Sequence, residues 1–532
     1  MQKGLLSMSR SIAIVLVLAI LFGSSASSVR ALNSEDLVYH PIETDRDGNI
    51  IPWYSPNLGA AYDHNIRLVW DFWKNMRTCD NGVKYYMQHQ VWRKNFDDPR
   101  GLGGDQLNEA LSSWNLLHQY LGDEAVKDDM IYIADYYIEH AFTKPTDAWP
   151  DVPYPYNTDV HSGIYDGDMR AGKGILQPDK AASFGAEMIT LYEITGMRKY
   201  LTVAMKIANT LTSKIKPGDA DNSPWPFRVN AETGEVHQLN RNGTIHTASY
   251  TTAWTAALRL YDGLIRLHKG TVGNYRKARR MVIDWLKAYP IKTNYWGPFF
   301  EDVPTNRDTD TEINADTLAW YILEHPDWDP DWKQQAKAIL NWSLDTFANF
   351  DWVEYGVVPI NEQTVFMWPG NSHTARYASV ELLIAEKTGD DSLKRDAIRR
   401  LNWATYTVND DGRNRYPEDD IWLSDGYGDY VRHYLRAMAS SPELAPDNQN
   451  HMLRTSSVIK SIAYGPDTIT YTKCIGRSTE RLKLGEWEPV AVIGGEMEWD
   501  AKTKVLEIRA TSPTVTILGE VDASTSELSG SH

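Results

Sequence analysis

The pattern that decides the fold is clearest in residues 104–140, which read GDQLNEALSSWNLLHQYLGDEAVKDDMIYIADYYIEH. Apolar side chains recur three or four positions apart in each half of this stretch, as at Leu107, Leu111, Trp114 and Leu117. This spacing places them on one face of an α-helix. The two halves meet at Gly122-Asp123, and so short a link favours an antiparallel helical hairpin.

The same periodicity continues from Tyr62 to Ala439 and predicts about twelve helices. Their predicted starts are Tyr62, Gly104, Glu124, Asp179, Met197, Tyr250, Asn274, Thr311, Asp331, Asn371, Ser392 and Ser424. Short links alternate with long loops rich in Pro, Gly, Asp and aromatic residues, over about residues 143–178, 217–249, 290–310, 351–370 and 409–423. Because short links join antiparallel helices, this alternation puts every long loop at one end of the array.

This arrangement resembles the (α/α)6 toroid of many glycoside hydrolases and polysaccharide lyases, which is a closed ring of six helical hairpins. The resemblance covers residues 62–445, which we expect to form the catalytic domain. An α-solenoid is the alternative, but it requires a regular repeat and regular loops. The predicted fold class is therefore mainly α, a toroid with a small C-terminal antiparallel β-domain.

The pattern changes after Ala445. Alternating or β-branched runs at residues 468–472, 490–493, 505–509 and 515–518 predict a β-sandwich-like domain over residues 453–520. The Ser-, Thr- and Gly-rich end, residues 521–532, is predicted to be a disordered tail. Before the helices, three prolines favour an extended arm over residues 32–61.

Residues 1–31 have the features of a secretory signal peptide. Lys3 and Arg10 precede an apolar run from Ile12 to Phe22, and small residues follow up to Ala31. The run is too short to span a bilayer comfortably, and no later segment is long and apolar enough. We expect a secreted or periplasmic protein without a membrane span.

Composition limits the partners. The 532-residue chain has a net charge of -17, which disfavours nucleic acid because phosphates require a Lys/Arg surface. Its 20 Trp and 29 Tyr offer flat faces on which sugars stack, although large helical proteins also bury many aromatic residues. The two cysteines, Cys79 and Cys474, are expected to be unpaired thiols, with a single bridge as the alternative.

The helix after each long loop is expected to line the hole of the ring, so that its first turn presents polar groups to the cavity. The clearest polar cluster of this kind is Trp368-Pro-Gly-Asn371-Ser-His373-Thr-Ala-Arg376-Tyr377. On a helix, His373, Arg376 and Tyr377 share one face, and Asn371 or Ser372 can cap the helix start. The alternative is a capped helix whose Arg and Tyr bond neighbouring loops. His246 and Tyr250 repeat the His/Tyr spacing and are expected to face this cluster across the ring.

The chemistry of β-elimination explains these residue types. The C5 proton of a uronate leaves once the adjacent carboxylate is neutralised, which suits Arg, Asn or protonated His, while Tyr or His can serve as base and acid. The cluster is similar to the Asn/His/Arg/Tyr set of toroid uronate lyases, which include alginate and glycosaminoglycan types. The resemblance implies that His373 and Tyr377 are base and acid, and that Arg376 and Asn371 bind the carboxylate.

A glycoside hydrolase on the same scaffold is the first alternative, because it needs two carboxylates across the scissile bond. The candidate acids are Glu312 with Asp316, Asp425 with Asp429, and the loop residues Asp166, Asp168, Glu301 and Asp302. A non-catalytic glycan-binding protein is the second alternative.

The expected partner is a polysaccharide or oligosaccharide. Its expected binding residues are Trp368, Trp296, Tyr165, His161, Asn314, Tyr427 and Asp425. No cofactor and no metal are expected, although the acid-rich segments 409–412 and 418–420 leave calcium as an alternative.

Overall fold

The computed structural model describes residues 40–79, 82–87, 105–155, 174–241, 243–300, 309–414 and 430–521. The predicted signal peptide and the tail after Val521 lie outside these residues, as does the arm before His40. The described part contains thirteen helices, all in one compact unit that begins at His40.

Twelve of these helices are long. In chain order they are α1 (Leu58–Lys74), α2 (Asp105–Leu121), α3 (Glu124–His140), α4 (Pro178–Thr195), α5 (Arg198–Lys214), α6 (Thr255–Arg266), α7 (Val272–Ala288), α9 (Glu312–Glu324), α10 (Trp332–Phe347), α11 (Asn371–Thr388), α12 (Ser392–Thr405) and α13 (Tyr430–Ser440). The short helix α8 (Pro290–Thr293) lies in a region that the sequence predicts as a loop.

The inner layer is a closed ring of six helices. Helices α2, α4, α6, α9, α11 and α13 each pack against the next, and α13 packs against α2. Helices α9 and α11 are buried along nearly their whole length, whereas outer helices such as α7 bury one apolar stripe. This arrangement is the (α/α)6 toroid that the alternation of links predicts.

All six inner helices begin at the same end of the ring, because each follows a long connection; a short link to an outer helix follows five of them, and the C-terminal strands follow α13. We call this end, formed by the first turns of the inner helices, the mouth. Glycines with positive φ end α4 and α11, at Gly196 and Gly389, where a residue with a side chain would be strained. The short links therefore lie opposite the mouth.

The predicted helix starts that fall on described residues agree with the structure to within a few residues, apart from the start of α6, and the predicted start at Ser424 lies outside the described residues. Helix α6 begins at Thr255 instead of Tyr250, because residues 244–247 pair as a strand with residues 238–241. Gly370 is the N-cap residue of α11 and makes no side-chain cap, whereas Asn371 Oδ1 in the first turn accepts from the Ser372 N–H at 2.6 Å. The Asn371 side chain thus satisfies one backbone N–H of the first turn, as expected, although Asn371 is not the N-cap residue.

Six short strands lie in the connections at the mouth and pair as three hairpins or bridges. They are β1 (Ile175–Leu176), β2 (Val229–Asn230), β3 (Gln238–Arg241), β4 (Thr244–Thr247), β5 (Asn361–Gln363) and β6 (Phe366–Pro369). The β5–β6 hairpin precedes α11, and its Gln363 bridges to Thr311, the N-cap of α9. This hairpin brings Glu362 beside the first turn of α11.

Eight further strands form two four-stranded antiparallel sheets. They are β7 (His451–Thr455), β8 (Ile459–Tyr464), β9 (Thr468–Lys473), β10 (Ser478–Lys483), β11 (Trp487–Ile493), β12 (Gly495–Asp500), β13 (Val505–Ala510) and β14 (Thr514–Val521). The strand orders are β12-β13-β10-β7 and β11-β14-β9-β8. Both sheets contribute to one apolar core, which includes Leu482, Leu506, Ile469 and Val515.

The two sheets pack on the end of the ring opposite the mouth. His451 of β7 stacks on Tyr120, near the end of α2, with ring centroids 3.8 Å apart. Arg454 donates two hydrogen bonds of 2.8 Å to Glu386, near the end of α11. The strands therefore cover the short-link end and leave the mouth to the long loops.

Both cysteines are free thiols: Cys79 is buried, and Cys474 donates to the Glu193 carbonyl at 2.7 Å. Within the described residues, no helix has both the length and the apolar character needed to cross a bilayer.

One seam joins the first and last outer helices, and it can be tested. The Tyr62 hydroxyl of α1 donates to Asn402 Oδ1 of α12 at 2.6 Å, and Asn402 Nδ2 donates to the Ile50 carbonyl at 3.0 Å. Replacing Asn402 by Leu leaves both groups buried without these partners, so we expect the free energy of unfolding to fall by about 2 kcal/mol.

Urea denaturation measures this change. The control is Arg395→Ala, at a largely exposed position on the same helix, which should change stability by less than about 0.5 kcal/mol. Equal stability of Asn402→Leu and the control would show that the seam does not hold the ring together.

Candidate active site

A cavity lies at the mouth, inside the ring of inner helices. Asn108, Asp179, Lys180 and Asn314, all from first turns of inner helices, are among its lining residues. Their place in the sequence, directly after long loops, predicts this position. Further polar lining comes from Thr255 in the first turn of α6 and from other turns of the inner helices, and Phe299 and Trp320 provide aromatic faces.

Asp179 and Lys180 lie side by side on the cavity wall. The Lys180 ammonium is 3.3 Å from Asp179 Oδ2 and donates to the Phe299 carbonyl at 3.1 Å. Burial raises the pKa of Asp179, although Lys180 opposes the shift. A carboxyl group that keeps its proton to higher pH than usual can serve as a general acid.

Three arginines, from helices α6 and α13, also line this cavity. Arg432 forms an ion pair with Glu109 and donates to Ser112 Oγ. Arg259 donates to Glu187 at 2.7 Å. The Arg436 guanidinium lies over the Trp320 ring, 3.9 Å from its centroid. No carboxylate of the described residues comes within ion-pair distance of Arg436.

The surroundings of Arg436 therefore destabilise its charged form. Burial lowers its pKa well below the usual range, and Arg432 and Arg259 lower it further because like charges repel. An anion that enters the cavity therefore stabilises the charged form of this group. Strained electrostatics of this kind are common at binding and catalytic sites.

His373, Glu312 and Arg376 form a buried cluster beside the cavity. His373 Nδ1 hydrogen-bonds Glu312 Oε1, and Arg376 donates to the same oxygen at 2.6 Å. His373 Nε2 lies 3.8 Å from Glu362 Oε2, and the ring meets the edge of Phe300. A carboxylate at Nδ1 fixes the tautomer, so Nε2 is the basic nitrogen of the ring.

Glu312 and Asp316 share one face of α9, as their spacing predicts, and both are fully buried. Asp316 accepts from Ser343 Oγ at 2.6 Å. Burial, together with the nearby Glu312 carboxylate, raises the pKa of Asp316 well above its usual value. The pair differs from a hydrolase pair because it lies behind the cavity wall.

Among the described residues that line the cavity there is none of His373, Arg376, Asn371 and Tyr377, and the last two also have partners outside the His373 cluster. Asn371 donates to Asn414 Oδ1 at 2.9 Å. The Arg400 guanidinium of outer helix α12 lies 4.9 Å from the centre of the Tyr377 ring. Burial and the neighbouring Glu381 raise the pKa of Tyr377. The side chains predicted to share a face at His373, Arg376 and Tyr377 are thus divided between the inner and outer layers.

His246 and Tyr250 are not one turn apart on a helix, and that expectation is wrong. His246 lies half-buried in strand β4. Tyr250 donates to the Tyr295 carbonyl at 2.7 Å and packs against Trp285 of outer helix α7. A role for either residue in catalysis remains a prediction.

The two tryptophans predicted to bind substrate have different environments. Trp296 is fully buried against Trp342, and its backbone N–H donates to Asp310, so its ring offers no sugar-binding face. Trp368, on β6, is 43% exposed and remains a candidate platform. Asn314 lines the cavity but donates to three backbone carbonyls, those of Trp296, Gly297 and Pro298.

Other predicted site residues lie outside the described residues. These are His161, Tyr165, Asp425, Tyr427, Asp429, Asp166, Asp168, Glu301 and Asp302, together with the acidic segment 418–420. In the part of the chain that is described, no group of three or more His, Cys, Asp or Glu side chains could hold a metal ion.

Sequence reasoning missed Arg259, Arg432, Arg436 and Trp320. Arg432 and Arg436 are four residues apart, which is a visible signal of a shared helical face. That signal does not say whether the face points to the cavity or to solvent. The answer depends on how α13 is rotated within the ring.

The fold is shared with solved sugar epimerases. Cellobiose 2-epimerase from Spirochaeta thermophila matches 73% of this chain and 98% of its own, with a TM-score of 0.54 and 13% identity. Cellobiose 2-epimerase from Bacillus thermoamylovorans matches 71% and 98%, with a TM-score of 0.52 and 14% identity. A sugar epimerase from a ruminal bacterium gives a TM-score of 0.51 at 13% identity, over 72% and 98%.

These similarities confirm the (α/α)6 toroid. At such low identity they concern the fold alone. No family model matches the sequence, and no curated protein sequence matches it.

The cavity arginines generate a prediction about stability. Arg436→Met keeps the aliphatic stem over Trp320 and removes a poorly compensated charge, so stability should stay the same or rise by up to about 1 kcal/mol. Arg432→Met leaves Glu109 without its partner and should cost about 2 kcal/mol.

Guanidinium denaturation of the two variants measures the difference. A loss of more than about 1 kcal/mol in Arg436→Met would show that Arg436 stabilises the fold and is not strained for function.

Proposed function

We propose that the protein is an enzyme that cleaves a uronic-acid-containing polysaccharide by β-elimination in the cavity at the mouth. The observation that carries the proposal is the Arg436 guanidinium on Trp320, a cavity cation without a carboxylate partner among the described residues. Lys180, Arg259 and Arg432 line the same cavity. A substrate that brings its own carboxylate would complete this arrangement.

The charge argument favours elimination over other saccharide reactions. A C5 proton becomes acidic enough to remove only when the adjacent carboxylate is neutralised, so the cation is part of the chemical step. In hydrolysis, a cation of this kind would contribute to binding only. Sugar epimerases of the same fold are consistent with a saccharide as substrate.

The proposed roles follow from the contacts. Arg436 binds the uronate carboxylate. His373, with Nδ1 held by Glu312, takes the C5 proton at Nε2. The C–H electrons form the C4=C5 double bond as the C4–O bond breaks, and Asp179 gives its proton to the leaving oxygen. Asp179 replaces Tyr377 as the acid because Tyr377 lies against Arg400 in the outer layer.

A second candidate is a glycoside hydrolase that acts on an anionic saccharide. The observation that favours it is that Asp179 and Glu109 line the same cavity in different surroundings. Burial raises the pKa of Asp179, while Glu109 is ion-paired with Arg432. Two carboxyl groups in such contrasting environments are the pattern of an acid and a nucleophile or base.

One assay separates these functions. The purified protein is incubated with acidic and neutral polysaccharides, and the ultraviolet absorbance of unsaturated uronate is followed together with reducing ends. Both signals rise on acidic polymers if the reaction is elimination. Reducing ends without absorbance would mean hydrolysis, and binding without either product would mean a non-catalytic glycan-binding protein.

The role of Arg436 predicts a matched pair of variants. Arg436→Gln should lower kcat/KM on the uronic-acid polymer about 100-fold, as expected for loss of a charge-stabilising donor. Arg395→Gln, a charge removed from the outer surface, should leave turnover unchanged. Equal activity of the two variants would show that Arg436 has no role in the reaction.

The acid role of Asp179 predicts a pH dependence. Since burial raises its pKa, Asp179 keeps its proton to higher pH than an ordinary carboxyl group, and activity should fall on the alkaline side as that proton is lost. Asp179→Asn should lack this alkaline limb and turn over far more slowly. An unchanged profile in Asp179→Asn would assign the limb to another group.

Export is part of the proposal, because the first 31 residues resemble a signal peptide. Mass spectrometry of protein recovered from the medium or periplasm should find Leu32 as the first residue. Full-length protein retained in the cytoplasm would contradict export.

A further inference from the structure

Glu312 is the hub of the buried cluster at the start of α9. It has no solvent exposure, and its Oε1 accepts from both His373 Nδ1 and Arg376. It is thus an anion between an imidazole and a guanidinium. The protonation state of its neighbours decides how strongly it holds the imidazole proton.

Asp316 lies one helical turn after Glu312 and is also fully buried. Its Oδ1 accepts from Ser343 Oγ of outer helix α10 at 2.6 Å. Within the described residues, no N–H or O–H group donates to Oδ2. Two adjacent buried carboxyl groups cannot both ionise without a large repulsion, and a proton on Asp316 turns Oδ2 into a donor toward Glu312.

The groups around the two carboxyls favour a neutral Asp316 and an ionised Glu312. Burial, then the Glu312 charge, raises the pKa of Asp316, while Ser343 and Arg376 lower it by less. Arg376 gives its hydrogen bond to Glu312, which makes Glu312 the better place for the negative charge. Tyr377, the other titratable group beside Asp316, has its pKa raised by burial and stays neutral.

We propose that Asp316 is a protonated positioning residue, which donates to Glu312 and through it sets the basicity and orientation of His373. The chain runs from Ser343 to Asp316, Glu312 and His373, across three helices of the ring. The catalytic consequence rests on the proposed function, in which His373 is the base. The inference that Asp316 is protonated does not depend on the proposed function.

The proton on Asp316 has a clear effect on the base. With Asp316 neutral, Glu312 is the anion that the described residues place at Nδ1, and Arg376 offsets its charge. An ionised Asp316 would add a second negative charge close by, and His373 would then hold its proton as an imidazolium. A neutral Asp316 keeps the imidazole available as a base, with Glu362 near Nε2 as the opposing influence.

The test follows the His373 ring by NMR in protein labelled with 15N-histidine, without substrate. The signal is assigned by its loss in His373→Gln. Asp316→Asn is neutral, has the same shape and keeps an N–H donor for Glu312. If Asp316 is protonated, the titration midpoint of His373 should move by less than about 0.3 pH units in this variant.

Asp316→Leu removes the donor and leaves Glu312 a stronger acceptor, so the His373 midpoint should rise by about half a pH unit or more. If Asp316 is instead ionised, both variants remove a negative charge, and the midpoint should fall by about one pH unit. That fall would overturn the proposal. Should Asp316→Leu not fold, the near-isosteric Asp316→Asn decides alone.

A second variant tests the chain from its other end. Ser343→Ala removes a hydrogen bond that favours the ionised form of Asp316, so it should leave His373 unchanged if Asp316 is already neutral. If Asp316 is instead ionised, losing this bond favours its protonation, so a fall of the His373 midpoint in Ser343→Ala would contradict the proposal.

Kinetics then connect the chain to catalysis. Asp316→Asn should keep the acidic limb of kcat/KM, and Asp316→Leu should move it to higher pH in parallel with the NMR midpoint. A protein that shows the expected NMR behaviour without activity on any polysaccharide would refute the proposed function and leave this inference standing. Activity on a uronic-acid polymer together with a lowered His373 midpoint in the Asp316 variants would support the proposed function and refute this inference.

Discussion

The packing of α13 against α2 is the contact on which the rest of the structure depends, because it closes the inner ring. Closure makes six parallel helices begin around one hollow. It also turns a dozen amphipathic segments into two layers, in which the inner helices are buried on almost every side. Few positions on an inner helix can therefore accommodate a polar side chain, and the first turns at the mouth are among them.

The charged side chains at the cavity and behind its wall form two groups. The cavity residues Arg432 and Arg259 pair with Glu109 and Glu187, while Arg436 rests on an aromatic ring. Behind the wall, Glu312 collects donors from two directions. Low polarizability around such groups strengthens every interaction and penalises every unpaired charge. An arrangement of this kind is costly for stability, and it is the kind of arrangement in which proton transfer and anion binding become possible.

The helical rhythm could be predicted from sequence because it depends on local periodicity, and so could the neighbourhood of Glu312 and Asp316, which are four residues apart on one helix. The rotation of each helix could not. The helical spacing predicts that Tyr377 and His373 share one face at the cavity, yet neither is among its lining residues, and the Tyr377 ring lies under Arg400 of the outer layer. His246 and Tyr250 looked helical, but pairing between residues 238–241 and 244–247 outweighed local preference. The spacing of Arg432 and Arg436 indicates that they share one face of α13, but it does not say whether that face points to the cavity or to solvent.

Sequence alone determined the elements and their alternation, since apolar spacing and turn residues act over a few positions of the chain. It also indicated which first turns would be polar. Only the tertiary structure decided which of those polar groups meet: Glu312 and His373 are 61 residues apart in sequence, and Arg436 reaches Trp320 from the last helix of the ring. The physical reason is that closure and helix rotation are set by packing summed over the whole inner layer, a quantity that no local pattern records.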